Sequence, residues 1–256
     1  MRVGRPVRWL ERVNPVTLFL SALLYTVAML VTLDRVSALV ALSCWLPLLA
    51  LAGVTPAQLV RRSWPLFVAA PLSALSMLLY AEPAGRQYGS FWLARVTDNS
   101  LELALAVGLR VLAVGVPTLT LLVGIDPTRL ADGLAQVVRL PSRFVLGALA
   151  GLRLFAVFTD DWRALTEARR ARGLGDSGAP RRFLTMSFAL LVIAIRRAGV
   201  LATAMEARGF GSGERTWARP STVDWRDAVV VLVALAVATT ALTVSALTGS
   251  FRLVGT

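Results

Sequence analysis

The chain has 256 residues, of which 56% are hydrophobic, and its net charge of +12 comes entirely from Arg, because the sequence contains neither His nor Lys. Without His, a His-Glu-x-x-His metal site and a Ser-His-Asp triad are excluded, and without Lys, a Walker A loop and a Ser-Lys dyad are excluded. The hydrophobic residues come in long blocks, so we expect a membrane protein whose basic charge lies in its loops rather than a nucleic-acid-binding protein.

Apolar blocks long enough to cross a bilayer fill the N-terminal half and recur near the C-terminus. A helix needs about 20 apolar residues to span the hydrocarbon core, and no alternation typical of strands is present. The sequence therefore predicts an all-α integral membrane protein with about five transmembrane helices, four in residues 1–125 and one in residues 228–256. The predicted spans are 16–33, 36–54, 64–81, 101–125 and 228–247.

Arg residues are distributed unequally between the links that join these spans. The N-terminal tail and the second link, which holds Arg61 and Arg62, carry an excess of Arg, whereas acidic and basic residues cancel in the other two links. Since excess Arg marks the cytoplasmic side, we expect a multi-pass plasma-membrane protein with its N-terminus in the cytoplasm and its C-terminus outside. Residues 126–227, which hold 16 of the 27 Arg residues, are then cytoplasmic.

One Arg breaks this pattern, since Arg110 lies inside the fourth predicted span. A charge at the bilayer centre costs about 2.5–3.5 kcal/mol on insertion scales, so its side chain must face protein. Arg110 then either fixes helix packing through an interhelical pair or lines a substrate path. The second reading defines one alternative for the whole chain, a self-contained permease.

An intramembrane enzyme is the other alternative. Asp160 and Asp161 are adjacent, so on a helix they point in different directions, and Asp132 lacks the further acidic residues that metal-dependent phosphatidyl transfer needs. The sequence therefore predicts a protein that is not an enzyme, with no catalytic residues and no metal or cofactor site of its own.

The segment 126–227 predicts one short and two long cytoplasmic helices. Asp126 is a suitable N-cap and Pro127 a suitable first residue for a short helix that ends near Leu140. The two long segments begin at Pro141 and Pro180 and would each form a helix of about 40 Å. Their apolar runs are interrupted by charges, which favours cytoplasmic helices over further spans.

The two long segments end in the same tripeptide. It reads Ala171-Arg172-Gly173 at the end of the first and Ala207-Arg208-Gly209 at the end of the second. An Arg followed by Gly is a common helix C-terminus, where the side chain complements the helix dipole. Neither Arg has an acidic residue at helical spacing on its N-terminal side, so each guanidinium is also suited to docking on another protein.

These residues resemble the T component of energy-coupling-factor ABC transporters, whose signature is a pair of Ala-Arg-Gly motifs closing two long cytoplasmic helices. The stretch from Arg110 to the first motif and Asn14-Pro15 are similar to the family too, although Leu18 and Phe19 stand where a basic residue is usual. The resemblance implies a coupling subunit of an importer for a vitamin or metal ion.

Further expectations follow from the resemblance. Two ABC ATPase subunits, which bind the ATP, would each receive one motif end, and a small substrate-binding membrane subunit would contact the spans in the lipid bilayer. The resemblance implies that Arg172 and Arg208, with their flanking Ala and Gly residues, dock the ATPases. Glu167 and Glu206 would order the helix ends or stay solvated.

Overall fold

The computed structural model describes residues 12–81, 87–91, 94–123, 125–174, 178–210, 216–217 and 219–250. The chain divides into two compact units. The first unit combines Met1–Leu130 with Thr222–Thr256, and the second unit is Ala131–Ser221. The last predicted span thus belongs to the same unit as the first four, and the second unit is an insertion into it.

Helices form almost all of the regular structure in the described residues, which confirms the all-helical class. A short antiparallel hairpin, in which Phe91 pairs with Ala94, precedes the fourth helix and was not predicted. The helices are α1 Pro15–Leu30, α2 Arg35–Leu51, α3 Pro56–Tyr80, α4 Asp98–Leu122, α5 Pro127–Gln136, α6 Ser142–Ala171, α7 Ala179–Ala207 and α8 Trp225–Leu247, and the strands are β1 Gln87–Phe91 and β2 Ala94–Thr97.

Five of the helices in the described residues, α3, α4, α6, α7 and α8, are long and apolar enough to cross a membrane. The chain is thus a multi-pass membrane protein. This set differs from the five predicted spans, because α1 and α2 have 16 and 17 residues and are shorter apolar helices. It includes α6 and α7 instead, whose cytoplasmic placement stays a prediction.

In the first unit, side-chain hydrogen bonds fix the directions of neighbouring helices. Tyr25 on α1 donates its hydroxyl to the carbonyl oxygen of Ala113 on α4 over 2.7 Å. At the start of α1, the N–H of Asn14 donates to Oδ1 of Asp227 on α8 over 2.7 Å. Asp227 is 1% exposed and also accepts the N–H of Asp224, so one buried carboxylate holds the first turns of α1 and α8 together.

The first unit has two ends, and different helix termini lie at each of them. At one end, Leu51, Leu121 and Val229 line a common apolar pocket, so the end of α2, the end of α4 and the start of α8 meet there. At the other end, Arg35 forms an ion pair with Glu102 over 3.5 Å. The chain therefore leaves the first unit after α4 and re-enters it at α8 on the same end.

Small residues allow close packing of α3 against α4. A Cβ added at Gly108 would lie 3.2 Å from the Cβ of Ala74 and 3.5 Å from the carbonyl oxygen of Ala70. Close approach of two backbones at small residues is the usual packing device between helices in lipid.

In the second unit, α5 packs on the beginning of α6. Ala131 on α5 forms an apolar cluster with Val145 and Leu149 on α6. Gln136, the last residue of α5, makes two hydrogen bonds with the segment after α7. Its Nε2 donates to the carbonyl oxygen of Arg219 and its Oε1 accepts the N–H of Ser221, each over 2.9 Å. These bonds tie the segment after α7 to α5.

Several helix starts differ from the prediction for a local reason. Helix α3 begins at Pro56, eight residues before the predicted span, because Thr55 and Gln58 form a capping box. The predicted span begins after Arg61 and Arg62, where the apolar run starts, and so leaves these capping signals out. The predicted N-cap of α5 is confirmed, since Oδ1 of Asp126 accepts the N–H of Thr128 over 2.9 Å.

Candidate functional site

Helix α6 ends in a Schellman motif built around its Ala-Arg-Gly sequence. Arg172 is the C-cap, with φ −90° and ψ 8°, and Gly173 follows in the left-handed region at φ +70°. The N–H of Leu174 donates to the carbonyl oxygen of Arg169, and that of Gly173 to that of Arg170, each over 3.0 Å. The carbonyl groups that a helix end leaves unsatisfied are thus bonded by backbone donors.

Helix α7 ends with the same geometry. Arg208 has φ −89° and ψ 11°, and Gly209 has φ +69°. The N–H of Phe210 donates to the carbonyl oxygen of Met205, and that of Gly209 to that of Glu206, each over 2.9 Å. Two segments 36 residues apart in the sequence therefore present an Arg from the same backbone conformation.

Both Arg side chains are exposed, and neither makes a hydrogen bond or ion pair with any residue that the structure describes. Because backbone groups form the Schellman bonds, the guanidinium groups take no part in closing the helix ends. A fork of N–H donors held in a fixed backbone frame is suited to a carboxylate or to backbone oxygens of another protein. Ala171 and Ala207 are exposed beside them and leave space for close approach.

Two acidic residues near the motifs are exposed as well. Glu167 lies one turn before the end of α6, and Glu206 lies in the last turn of α7. Neither carboxylate has a partner among the described residues, so the structure shows no ordering of the helix ends by these side chains.

An ion pair joins α6 to α7. Nη1 of Arg197 donates to Oδ2 of Asp161 over 2.7 Å, and Nη2 donates to Oδ1 over 3.2 Å. Asp160 points elsewhere and pairs with Arg163 on its own helix over 3.6 Å. The Asp161 side chain is 20% exposed against 76% for Asp160, so the pair between the helices is the better shielded of the two.

An aromatic contact lies next to this ion pair. The ring centroids of Trp162 on α6 and Phe183 on α7 are 5.7 Å apart in a tilted arrangement. The sequence does not identify the partner of Asp161, because Arg196 and Arg197 follow each other and no spacing rule selects one across two helices. The half-buried positions of Asp161 and Arg197 appear only once the helices are packed.

Arg110 belongs to the first unit, so it lies in a different unit from the two motifs. Its side chain is 8% exposed, and Nη2 donates to the hydroxyl of Thr32 over 2.9 Å, at the end of α1. The carboxylate of Asp34 lies near it without a direct ion pair, and Nε and Nη1 of Arg110 are buried without a hydrogen-bond partner in the described residues. Arg110 on α4 is thus bonded to the turn that follows α1, and the choice between its two readings stays a prediction.

The helices and the two matched ends define the class of the protein, a multi-pass helical membrane protein with a duplicated, Arg-bearing helix end. The sequence profile of the CbiQ family, described as cobalt transport protein, matches residues 6–217. The chain belongs to this family.

Individual relatives agree with this assignment. The chain is 32% identical over 156 residues to the energy-coupling factor transporter transmembrane protein EcfT of Exiguobacterium sibiricum, covering 56% of this chain and 59% of that protein. It is 27% identical over 173 residues to the EcfT of Limosilactobacillus fermentum, covering 60% and 65%. The chain thus spans less than two thirds of the length of these relatives. The resemblance found in the sequence is confirmed.

Proposed function

We propose that this chain is the coupling subunit of an energy-coupling-factor importer. In this role it holds two ABC ATPases, which bind ATP, and passes their motion to a separate small membrane subunit that binds the substrate, a vitamin or a metal ion. The observation that carries the proposal is the pair of matched ends, in which Arg172 and Arg208 project from equal backbone conformations without a partner in the described chain. Two equal ends suit a partner that is present twice.

The arrangement of the first unit supports the orientation that the proposal needs. The connections to the second unit leave from the end that holds the start of α1 and the end of α2. Helix α3 begins just beyond that end and carries Arg61 and Arg62 in its second turn. Excess Arg favours the cytoplasm, so the second unit and its motif ends would face the ATPases there.

The experiment that tests the proposal is co-purification of the ATPases with the Arg172→Glu/Arg208→Glu variant. If each Arg pairs with a carboxylate in a buried interface, the reversal costs about 2–5 kcal/mol per site and the ATPases are lost. The matched control is Arg153→Glu/Arg196→Glu, which reverses one exposed charge on each helix away from the motifs. Membrane insertion should be unchanged in both.

A second variant separates docking from helix capping. Since the Schellman bonds come from the backbone, Arg172→Ala/Arg208→Ala keeps both helix ends intact and removes only the guanidinium groups. We expect weaker ATPase attachment with an unchanged circular-dichroism spectrum. Full ATPase content in this variant and in the charge-reversal variant would show that the motifs do not dock the ATPases.

A further inference from the structure

Each residue of the ion pair between α6 and α7 lies the same number of residues before the motif Arg of its own helix. Asp161 lies eleven residues before Arg172, and Arg197 lies eleven residues before Arg208. Eleven residues are three helical turns, about 16 Å along the axis, and return to the same face within about 20°. The pair therefore joins the two helices at equal distances from their ends and on the face that carries each motif Arg.

A second contact fixes the angle between the helices. Trp162, the residue after Asp161, contacts Phe183, which lies 14 residues before Arg197 on α7, or about 21 Å along the axis. One turn of α6 thus holds α7 at two separated points. Without the ion pair only the ring contact of these two remains, so the angle between the helices is less firmly held.

We propose that Asp161 and Arg197 are a positioning pair that links the two motif ends so that they move as one body. This inference rests on the proposed function, since motion of the ends has meaning only if the ATPases hold them. A bidentate guanidinium–carboxylate pair fixes distance and orientation together, which a single point charge cannot do. Its partial burial reduces screening by salt.

The large exposed apolar side chains of α6 and α7 lie almost entirely on the N-terminal side of the ion pair in each helix. On α6 they lie before Asp161, and on α7 all but Val200 lie before Arg197. The pair therefore separates the segments that end in the motifs from the segments that present apolar surface. A rotation imposed at the motif ends would pass through the pair to that surface. The exposed side chains are Phe144, Leu152, Phe155 and Val157 on α6 and Phe183, Leu184, Phe188, Leu191, Val192, Ile195 and Val200 on α7.

The first test measures the distance between spin labels on the two motif segments. Labels at Ala168→Cys and Ala204→Cys, both exposed, are introduced into the full chain in a Cys44→Ser background and measured by pulsed electron paramagnetic resonance. We expect Asp161→Asn to broaden the distance distribution. Asp160→Asn, which removes the neighbouring charge paired within α6, should leave it as in the parent chain.

The second test uses the complex with its ATPases and adds ATP with Mg²⁺. Labels at Ala148→Cys and Thr185→Cys, on the segments before the pair, should change distance with ATP in the parent complex. Asp161→Asn should keep the full ATPase content but lose this change, and the exchanged pair Asp161→Arg/Arg197→Asp should restore it. A residue that merely stabilises the fold would not separate attachment from motion in this way.

Three results would overturn the link. They are an unchanged distance distribution in Asp161→Asn, an equal effect of Asp160→Asn, and loss of the ATPases from Asp161→Asn. Failure of the proposed function would look different, because the parent chain itself would then attach no ATPase. The label distances in the chain alone would still decide whether the pair sets the helix angle.

Discussion

At the scale of single residues, each motif end depends on a glycine in the left-handed region, Gly173 at φ +70° and Gly209 at φ +69°. An L-residue with a Cβ pays about 1–2 kcal/mol for that conformation. A Cβ built at Gly173 meets nothing within 4 Å, so the cost there arises from the backbone alone. The glycine thus closes the helix while the Arg before it keeps its side chain available.

We predict that Gly173→Ala loosens the end of α6 by about 1 kcal/mol. Amide hydrogen exchange should show this as faster exchange at Leu174, whose N–H bonds to Arg169. The control is Gly147→Ala in the second turn of α6, where space is also open but φ is not positive. That variant should be neutral or stabilising, and equal exchange in the two variants would contradict the backbone argument.

Asp34, in the turn between α1 and α2, is the N-cap of α2 and carries a buried carboxyl group. Burial alone would raise the pKa of its carboxyl, but hydrogen bonds from the side chain and backbone of Ser37 outweigh this, so the pKa lies below its ordinary value. A lowered pKa in the folded state means that the ionised group stabilises the fold at neutral pH. This stability is lost as the pH falls through the folded-state pKa.

We predict that Asp34→Ala destabilises the first unit by more than the roughly 1 kcal/mol of a lost N-cap, because the hydroxyl of Ser37 also loses its acceptor and a negative charge near buried Arg110 is removed. Thermal unfolding in detergent measures the loss. Asp34→Ala/Arg110→Met should recover part of it, since the uncompensated charge is then removed. A double variant that unfolds at a lower temperature than Asp34→Ala would show that Arg110 does not depend on Asp34.

At the scale of helices, the contact of α3 with α4 sets a limit on side-chain size. Gly108→Leu should destabilise the bundle by about 1–3 kcal/mol, the usual cost of overpacking, because the Cβ of Ala74 and the carbonyl oxygen of Ala70 are fixed to the α3 backbone and cannot move aside as a flexible side chain can. Gly147→Leu, a site with nothing within 4 Å, is the control for the added side chain. Equal unfolding temperatures for the two variants would mean that the contact yields easily.

How far the helices could be predicted depended on whether their signals are local. The two motif ends and the cap at Asp126 were found, because Gly after Arg and Asp before Pro act within one turn. The start of α3 at Pro56, capped by Thr55, differs from the predicted span, since the apolar run begins only after Arg62. The pairing of Asp161 with Arg197 depends on the packing of two helices, which no spacing within one helix encodes.

At the scale of the whole molecule, the orientation can be tested with single cysteines in a Cys44→Ser background. We predict that Thr55→Cys reacts with a membrane-impermeant thiol reagent from the cytoplasmic side and that Leu101→Cys reacts from the outside. Both positions are exposed, and they lie near opposite ends of the first unit. Reaction of both from one side would contradict the alternation of the links.

The same reagent tests the cytoplasmic placement of α6 and α7. Leu152→Cys and Ala198→Cys are exposed positions next to Arg153 and Arg197. We expect both to react from the cytoplasmic side in the isolated chain, since a half-buried ion pair such as Asp161–Arg197 is costly in lipid. Protection of both by the bilayer would favour a chain in which these helices are further spans.

The carboxylate of Asp227 has a consequence for how the protein is made. It accepts the backbone N–H of Asn14, a residue synthesised 213 positions earlier. Until α8 leaves the ribosome, the beginning of α1 lacks this acceptor, and the surface that α1 later presents to α8 has no protein partner from that helix. The second unit is complete before α8 appears, so its helices can fold while the membrane bundle is still open. Closure of the first unit around Asp227 therefore comes after the second unit has been synthesised.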